Sequence, residues 1–129
     1  TIHRMNILVV DDEADVQPLF EQRFRREIRS GAINFTFANS GEQALQVLGD
    51  RPTEMVLILS DINMPGMSGL ELLRHIREQQ PDRPPSIMMI TAYGDEHSHQ
   101  QALSLGADDF LTKPLDFAAL KARLTDLAP

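Results

Sequence analysis

The feature that most constrains this chain is a series of short apolar runs, each closed by turn residues and followed by polar ones. The clearest run covers residues 55–59, between Pro52 and a Pro65-Gly66 turn. Such a run predicts a strand that is buried on both faces. Asp61 follows it, and the carboxyl ends of parallel strands open onto the ligand crevice. Asp61 is therefore the candidate nucleophile, although a lone aspartate beside a Pro-Gly turn more often only turns or caps the chain.

Strands and helices are predicted to alternate along the whole chain. Apolar runs predict five strands, at residues 5–10, 34–38, 55–59, 86–90 and 109–111. Helical spacing predicts five helices, at about residues 15–30, 42–48, 69–79, 96–105 and 117–127. In the first helix the spaced apolar residues are Val16, Leu19, Phe20, Phe24 and Ile28. This alternation predicts an α/β fold, a doubly wound parallel sheet with helices on both faces and right-handed crossovers.

Length and charge limit the function classes that fit. At 129 residues, we expect a single domain over residues 5–129, preceded by an unstructured leader at residues 1–4. There are no cysteines, and no apolar run approaches the roughly 20 residues that span a bilayer, so we expect a cytoplasmic protein without membrane contact. The formal net charge of -7 argues against direct nucleic-acid binding through a broad basic surface.

Polar residues with complementary chemistry follow four of the predicted strands. Asp11 and Asp12 end the first strand, Asp61 the third, Thr91 the fourth and Lys113 the fifth. Because these ends converge at one edge of a parallel sheet, we expect the side chains to meet there. Three crowded carboxylates repel one another, so either a cation occupies the site or one carboxylate takes up a proton.

A magnesium ion suits this set of ligands. Mg²⁺ is a hard cation that prefers oxygen ligands and joins carboxylates to phosphate oxygens, and the chain offers neither a cysteine nor a nearby histidine for a softer metal. Lys113 supplies a point charge suited to phosphate, and Thr91 supplies a hydroxyl donor. Taken singly, each of these residues is more often a cap, a strand residue or an exposed cation. Their shared edge is what favours phosphoryl chemistry.

Four motifs resemble those of one known family. They are ILVVDDE at residues 7–13, SDINMPGMSG at 60–69, MMITAYGD at 88–95 and GADDFLTKP at 106–114. From about residue 5 to residue 127 the chain resembles the receiver domains of two-component response regulators. The resemblance, and not the apolar pattern, implies the flavodoxin-like strand order 2-1-3-4-5, for which receiver proteins are a standard example.

The resemblance also implies roles for individual residues. Asp61 would accept a phosphoryl group from the phosphohistidine of a sensor histidine kinase or histidine phosphotransfer protein. Magnesium, for which manganese can substitute, would be held by Asp12, Asp61 and the backbone carbonyl of Asn63, with Asp11 acting through water. The chain would catalyse only its own phosphorylation and dephosphorylation. A carboxylate nucleophile needs no general base, which fits the lack of a Ser-His pair among the motifs.

Further implied roles concern the response to phosphorylation. Lys113 would pair with the phosphoryl group, its direction fixed through a cis Lys113-Pro114 bond. Thr91 and Phe110 would form a switch pair that is read out on the fourth predicted helix, fifth strand and fifth helix. Asn63 and Tyr93 would flank the line of attack by water. The Tyr93 ring either covers the phosphoryl group and slows its loss or points away from it, and the sequence favours neither.

Three rival functions share parts of this pattern. A haloacid-dehalogenase-type phosphatase also uses an aspartate nucleophile with magnesium, but it carries a general acid two residues later, where this chain has Asn63. A flavodoxin-like electron carrier lacks support because acids, and not a Ser/Thr/Gly-rich loop, follow the first strand. A pseudo-receiver that only binds partners would not need the full set of acids, Thr91 and Lys113.

The sequence is compatible with two kinds of protein. The chain is either a stand-alone receiver or a fragment of a longer multidomain signalling protein. Its output would then lie in an output domain of the same chain or in a separate effector. A phosphorylation-dependent dimer is a further possibility.

Overall fold

The computed structural model describes residues 5–50, 57–79, 86–91 and 96–127. The strands are β1 Met5–Val10, β2 Ile33–Ala38, β3 Leu57–Asp61, β4 Ser86–Thr91 and β5 Asp109–Thr112. The helices are α1 Val16–Arg23, α2 Arg25–Ser30, α3 Gly41–Asp50, α4 Gly69–Gln79, α5 Glu96–Ser104 and α6 Phe117–Leu127. Three predictions lie outside the described residues: the leader at 1–4, residues 55–56 of the third strand, and the placement of Tyr93.

The five strands form one parallel sheet in the order β2-β1-β3-β4-β5, which confirms the predicted fold class. Its pairing continues to the carboxyl ends of the strands, where Asp61 pairs with Ile90 and Thr91 pairs with Thr112. The sequence pattern predicted that Asp61 and Thr91 follow their strands. In the structure they are the last residues of those strands. Their backbones are held by the sheet ladder, which fixes the starting point of each side chain.

Alternation of side chains along the strands gives the sheet two buried faces. One face packs on α3, α4 and α5, through residues that include Leu8, Ile58 and Met89. The other packs on α1, α2 and α6, through residues that include Ile7, Leu59 and Met88. The central strand β3 is buried along its whole length, as its uninterrupted apolar run predicted.

The prediction of a single first helix over residues 15–30 is wrong, because the helix is interrupted at Phe24 (φ −109°, ψ 25°). The Phe24 N–H still bonds to the carbonyl of Phe20, and the Ile28 N–H to that of Phe24, each at 2.9 Å, so helical hydrogen bonding continues across the interruption. The Phe24 ring at this interruption is fully buried among other rings. Two predicted apolar positions are partly exposed, Leu19 at 39% and Ile28 at 37%.

Two further features bear on the predictions. The Lys113-Pro114 peptide bond is cis, as the family resemblance implied. Within the described ranges, none of the helices has the length and apolar character needed to cross a membrane.

Candidate functional site

The candidate site lies at the carboxyl edge of the sheet, where backbone hydrogen bonds set the position of each contributing segment. The Asp11 N–H bonds to the Ala38 carbonyl at 3.0 Å, which extends the β1–β2 ladder by one residue. The Lys113 N–H bonds to the Thr91 carbonyl at 2.9 Å, just beyond the last β4–β5 pair. The sheet therefore determines the backbone positions of Asp11, Thr91 and Lys113.

Asp11, Asp12 and Asp61 form an acidic cluster, with one carboxylate oxygen from each within 4.8 Å of the others. Asp11 and Asp61 are only 7% and 4% exposed, whereas Asp12 is open to solvent. Among the described residues this is the one group of acidic and histidine side chains close enough to hold a metal ion. An all-oxygen donor set with one open side fits a hard cation that keeps part of its water. The chemistry of this donor set therefore fits magnesium, and the grouping of the three carboxylates is compatible with a shared ion.

Lys113 provides a positive charge inside this cluster. Its Nζ donates to Oδ2 of Asp61 at 3.0 Å and lies 3.9 Å from Oε1 of Glu13. Burial acts to lower the pKa of Lys113, but the hydrogen bond and charge of Asp61 outweigh it, and the pKa lies above its ordinary value. The charged form of Lys113 is therefore favoured, and its Nζ lies where it can contact a group that bonds to Asp61.

Asp11 is the carboxylate whose charged form is disfavoured. Burial raises its pKa, the Glu13 N–H that donates to Asp11 Oδ1 at 2.9 Å acts to lower it, and the nearby charge of Asp61 raises it further. The net pKa is higher than that of an ordinary aspartate. A cation would relieve the repulsion that contributes to this shift.

The loop after Asp61 returns tightly to the start of α4. The Gly69 N–H donates to the Ile62 carbonyl at 2.8 Å. A Cβ atom on Gly69 would collide with the Asp61 carbonyl and lie 2.8 Å from the Ile62 α-carbon, so only glycine fits this closure. Asn63, the predicted carbonyl ligand, lies on the exposed part of this loop.

Thr91 and Phe110 lie on the same face of the sheet. Phe110 pairs with Met89 on β4, and Thr91 is two residues further along β4, so both point toward the face that packs on α5. Thr91 is 5% exposed. The half-buried Phe110 ring stacks on His99 of α5, with ring centres 3.7 Å apart and planes 24° apart.

The structure thus brings together Asp11, Asp12, Asp61 and Lys113. It places Thr91 at the same carboxyl edge of the sheet, at the end of the strand next to that of Asp61. It leaves Tyr93 outside the described residues. The sequence did not predict two residues that contact the site: Glu13, which lies near Lys113, and His99, which stacks on Phe110. Glu13 could have been noticed because it continues the acidic run, whereas the stacking of His99 depends on how α5 is rotated against β5, which no sequence signal contains.

Comparison with known proteins agrees with this geometry. The family described as the response regulator receiver domain matches residues 7–125. The response regulator protein PilR of Pseudomonas aeruginosa is 38% identical over 121 residues, which is 92% of this chain but 25% of PilR. The probable chemotaxis protein CheY of Rhizobium etli is 30% identical over 94% of this chain and 90% of that protein. The chain thus spans a quarter of the length of one of these relatives and nearly all of the other.

A solved structure of a receiver domain has the same fold. The receiver domain of Saccharomyces cerevisiae Ssk1, in a complex with the histidine phosphotransfer signaling protein Ypd1, matches with a TM-score of 0.84 at 25% identity, over 99% of this chain and 91% of that chain. The fold and site define a phosphorelay receiver, which is a signalling module and not a classical enzyme. The chain belongs to the response regulator receiver domain family. The phosphatase, electron-carrier and pseudo-receiver alternatives are not favoured.

Proposed function

We propose that Asp61 is the phosphoacceptor and that the donor is a phosphohistidine on a sensor histidine kinase or a histidine phosphotransfer protein. The observation that carries the proposal is the position of Asp61. It is a buried carboxylate at the end of the central strand, bonded to Lys113 and grouped with Asp11 and Asp12. The complex of the Ssk1 receiver with Ypd1 supports this class of partner.

In the transfer, a carboxylate oxygen of Asp61 attacks phosphorus while the bond from phosphorus to the histidine nitrogen breaks, and that nitrogen keeps the electron pair. The loose transition state needs alignment and positive charge more than proton transfer. Lys113 supplies such charge because its Nζ already lies 3.0 Å from Asp61 Oδ2 and can shift to a phosphoryl oxygen.

Asp12, Asp61 and the backbone carbonyl of Asn63 would hold a magnesium ion, with Asp11 acting through water. When bound, the ion neutralises the carboxylates and the oxygens of the transferring group, and manganese can substitute for it. The oxygen atoms grouped within 4.8 Å support this assignment.

The response would begin at Thr91, whose hydroxyl turns toward a phosphoryl oxygen on Asp61 and vacates space for the Phe110 ring. Movement of that ring would alter the surface formed by α5, β5 and α6. The shared face of Thr91 and Phe110 supports this switch pair. The altered surface would act on an output domain, a separate effector or a second copy of the chain.

The lifetime of the phosphoryl group would depend on Asn63 and Tyr93, if both flank the approach of water to the group. If Tyr93 covers the group, Tyr93→Glu should speed the loss of phosphate from purified protein, because a carboxylate can orient water where a phenol ring excludes it. An unchanged rate would show that the ring points away.

The assignment of Asp61 is tested with a small phosphodonor and magnesium. Mass spectrometry should show one added phosphoryl group on the unsubstituted chain and none on Asp61→Asn. Asp15→Asn is a matched control, because Asp15 is exposed at the start of α1 and makes no capping side-chain bond there. Undiminished labelling of Asp61→Asn would refute the assignment.

A further inference from the structure

Glu42, in the first turn of α3, makes a contact that spans 25 residues of sequence. Its Oε1 accepts a hydrogen bond from the backbone N–H of Met67 at 3.1 Å. Met67 lies in the loop that joins Asp61 to α4. The next residue, Gln43, makes only a local bond, because its Oε1 accepts the N–H of Asn39, four residues away. Glu42 therefore connects α3 to the site loop.

Two glycines allow this close approach of helix and loop. At Gly41, an added Cβ would lie 2.8 Å from Sδ of Met67, so a side chain there would displace the Met67 side chain. Gly66 has a φ of +75°, and an added Cβ there would lie 3.3 Å from Oε2 of Glu42. The hydrogen bond is thus part of a packed contact between Gly41, Glu42, Gly66 and Met67, and not an isolated encounter of two surface groups.

The contact fixes a third point of the loop, at Met67, two residues before α4, in addition to the two ends of the loop. At one end Asp61 belongs to the β3 ladder, and at the other the Gly69 N–H bonds to the Ile62 carbonyl. Asn63 lies between these ends and is exposed. If the Met67 N–H lost its acceptor, the Asn63 carbonyl would sample more positions, and a cation would have to restrict them again on binding.

We infer that Glu42 is a positioning residue for the site, which holds the loop so that the Asn63 carbonyl is preset for a divalent cation. The inference rests on the proposed function, because it takes the carbonyl of Asn63 as a ligand. Glu42 contacts neither the cation nor the transferring group. It acts through the Met67 backbone, and a carboxylate or an amide oxygen at that point serves equally as an acceptor.

The test compares Glu42→Ala with Glu42→Gln. Glu78→Ala is the control, since Glu78 is an exposed glutamate on α4 and its removal changes the net charge equally. One measurement is amide hydrogen exchange at Met67 without divalent ions. The other is magnesium affinity, from NMR titration of the amide signals around Asn63.

Glu42→Ala should speed exchange at Met67 and weaken magnesium binding about tenfold, the lower end of the range for residues that orient ligands. Glu42→Gln and Glu78→Ala should match the unsubstituted chain within twofold. With a small phosphodonor, the labelling rate of Glu42→Ala should recover at saturating magnesium, because only the placement of the loop has changed.

Three results would overturn the inference: unchanged Met67 exchange in Glu42→Ala, equal magnesium affinity in Glu42→Ala and the unsubstituted chain, or a loss in Glu42→Gln as large as in Glu42→Ala. Absence of magnesium binding to the unsubstituted chain would overturn it as well. Failure of that chain to accept a phosphoryl group would instead refute the proposed function, because exchange and ion binding are measured without a phosphodonor.

Discussion

The two faces of the sheet are built from different side chains. Five of the six phenylalanines lie on the face that packs on α1, α2 and α6. Their rings contact one another in edge-on and stacked pairs with centres 5.1–6.3 Å apart, at Phe20, Phe24, Phe35, Phe37 and Phe117. The sixth, Phe110, lies on the opposite face among aliphatic and methionine side chains and stacks on His99.

The surroundings of each ring indicate how easily that ring can rotate. A ring that is fully buried in a cluster of rings cannot rotate without disturbing its neighbours, because interiors are close-packed. Phe110 is half buried, and one of its neighbours is the partly exposed His99, so its rotation disturbs less of the core. We expect removal of a fully buried ring on the aromatic face to lower the free energy of unfolding more than removal of Phe110, and the surroundings of Phe110 to change with phosphorylation.

The largest expected effect is on the aromatic face. Phe24→Ala should lower the free energy of unfolding by about 3–5 kcal/mol, because it removes a fully buried ring that contacts Phe20, Phe35 and Phe117. Chemical denaturation measures this loss. Phe110→Ala, the matched control on the other face, should cost clearly less because its ring is only half buried. Equal losses would contradict the comparison.

The acidic cluster should give a smaller effect that depends on ions. Magnesium should stabilise the folded chain by about 2.7 kcal/mol at a hundredfold excess over its Kd, because it binds the crowded carboxylates only when they are assembled. Asp12→Ala should lose most of this gain, as measured by thermal unfolding with and without magnesium. Phe24→Ala should keep the gain, since it lies on the aromatic face. A response to magnesium that survives Asp12→Ala intact would contradict the placement of the ion.

The smallest expected effect concerns the stack on Phe110. His99→Ala should remove an aromatic contact of about 0.5–1.5 kcal/mol and let the Phe110 ring move toward Thr91 before phosphorylation. NMR signals of Phe110 and Leu111 should then change less when beryllofluoride is added as a phosphoryl mimic. His97→Ala, an exposed neighbour on the same helix, should leave that change at full size. An unaltered response in His99→Ala would show that the stack does not bias the ring.

Much of the site could be predicted from the sequence because it depends on where strands end. Asp11, Asp61 and Lys113 each follow or close an apolar run, and a parallel sheet gathers such ends at one edge. The alternation of strands and helices gave the fold class for the same reason. Strand order needed the family resemblance, since periodicity does not say which strands are neighbours.

What the sequence could not predict depends on tertiary packing. The interruption at Phe24 arises where helical spacing alone favours a continuous helix. The bond from Met67 to Glu42 joins segments 25 residues apart, and the stack of His99 on Phe110 depends on how α5 is rotated against β5. Each requires the relative placement of two elements, which local patterns do not contain.

The route of the chain through the site has a consequence for synthesis in the cell. The acidic cluster begins at Asp11, near the start of the sheet, yet its cation comes from Lys113, 52 residues beyond Asp61 and after the last strand. Because domains generally fold as units, this lysine joins the acidic cluster only when the whole sheet has formed. Until then Asp61 has no lysine beside it, so we expect a phosphoryl group to be accepted only by molecules whose sheet is complete.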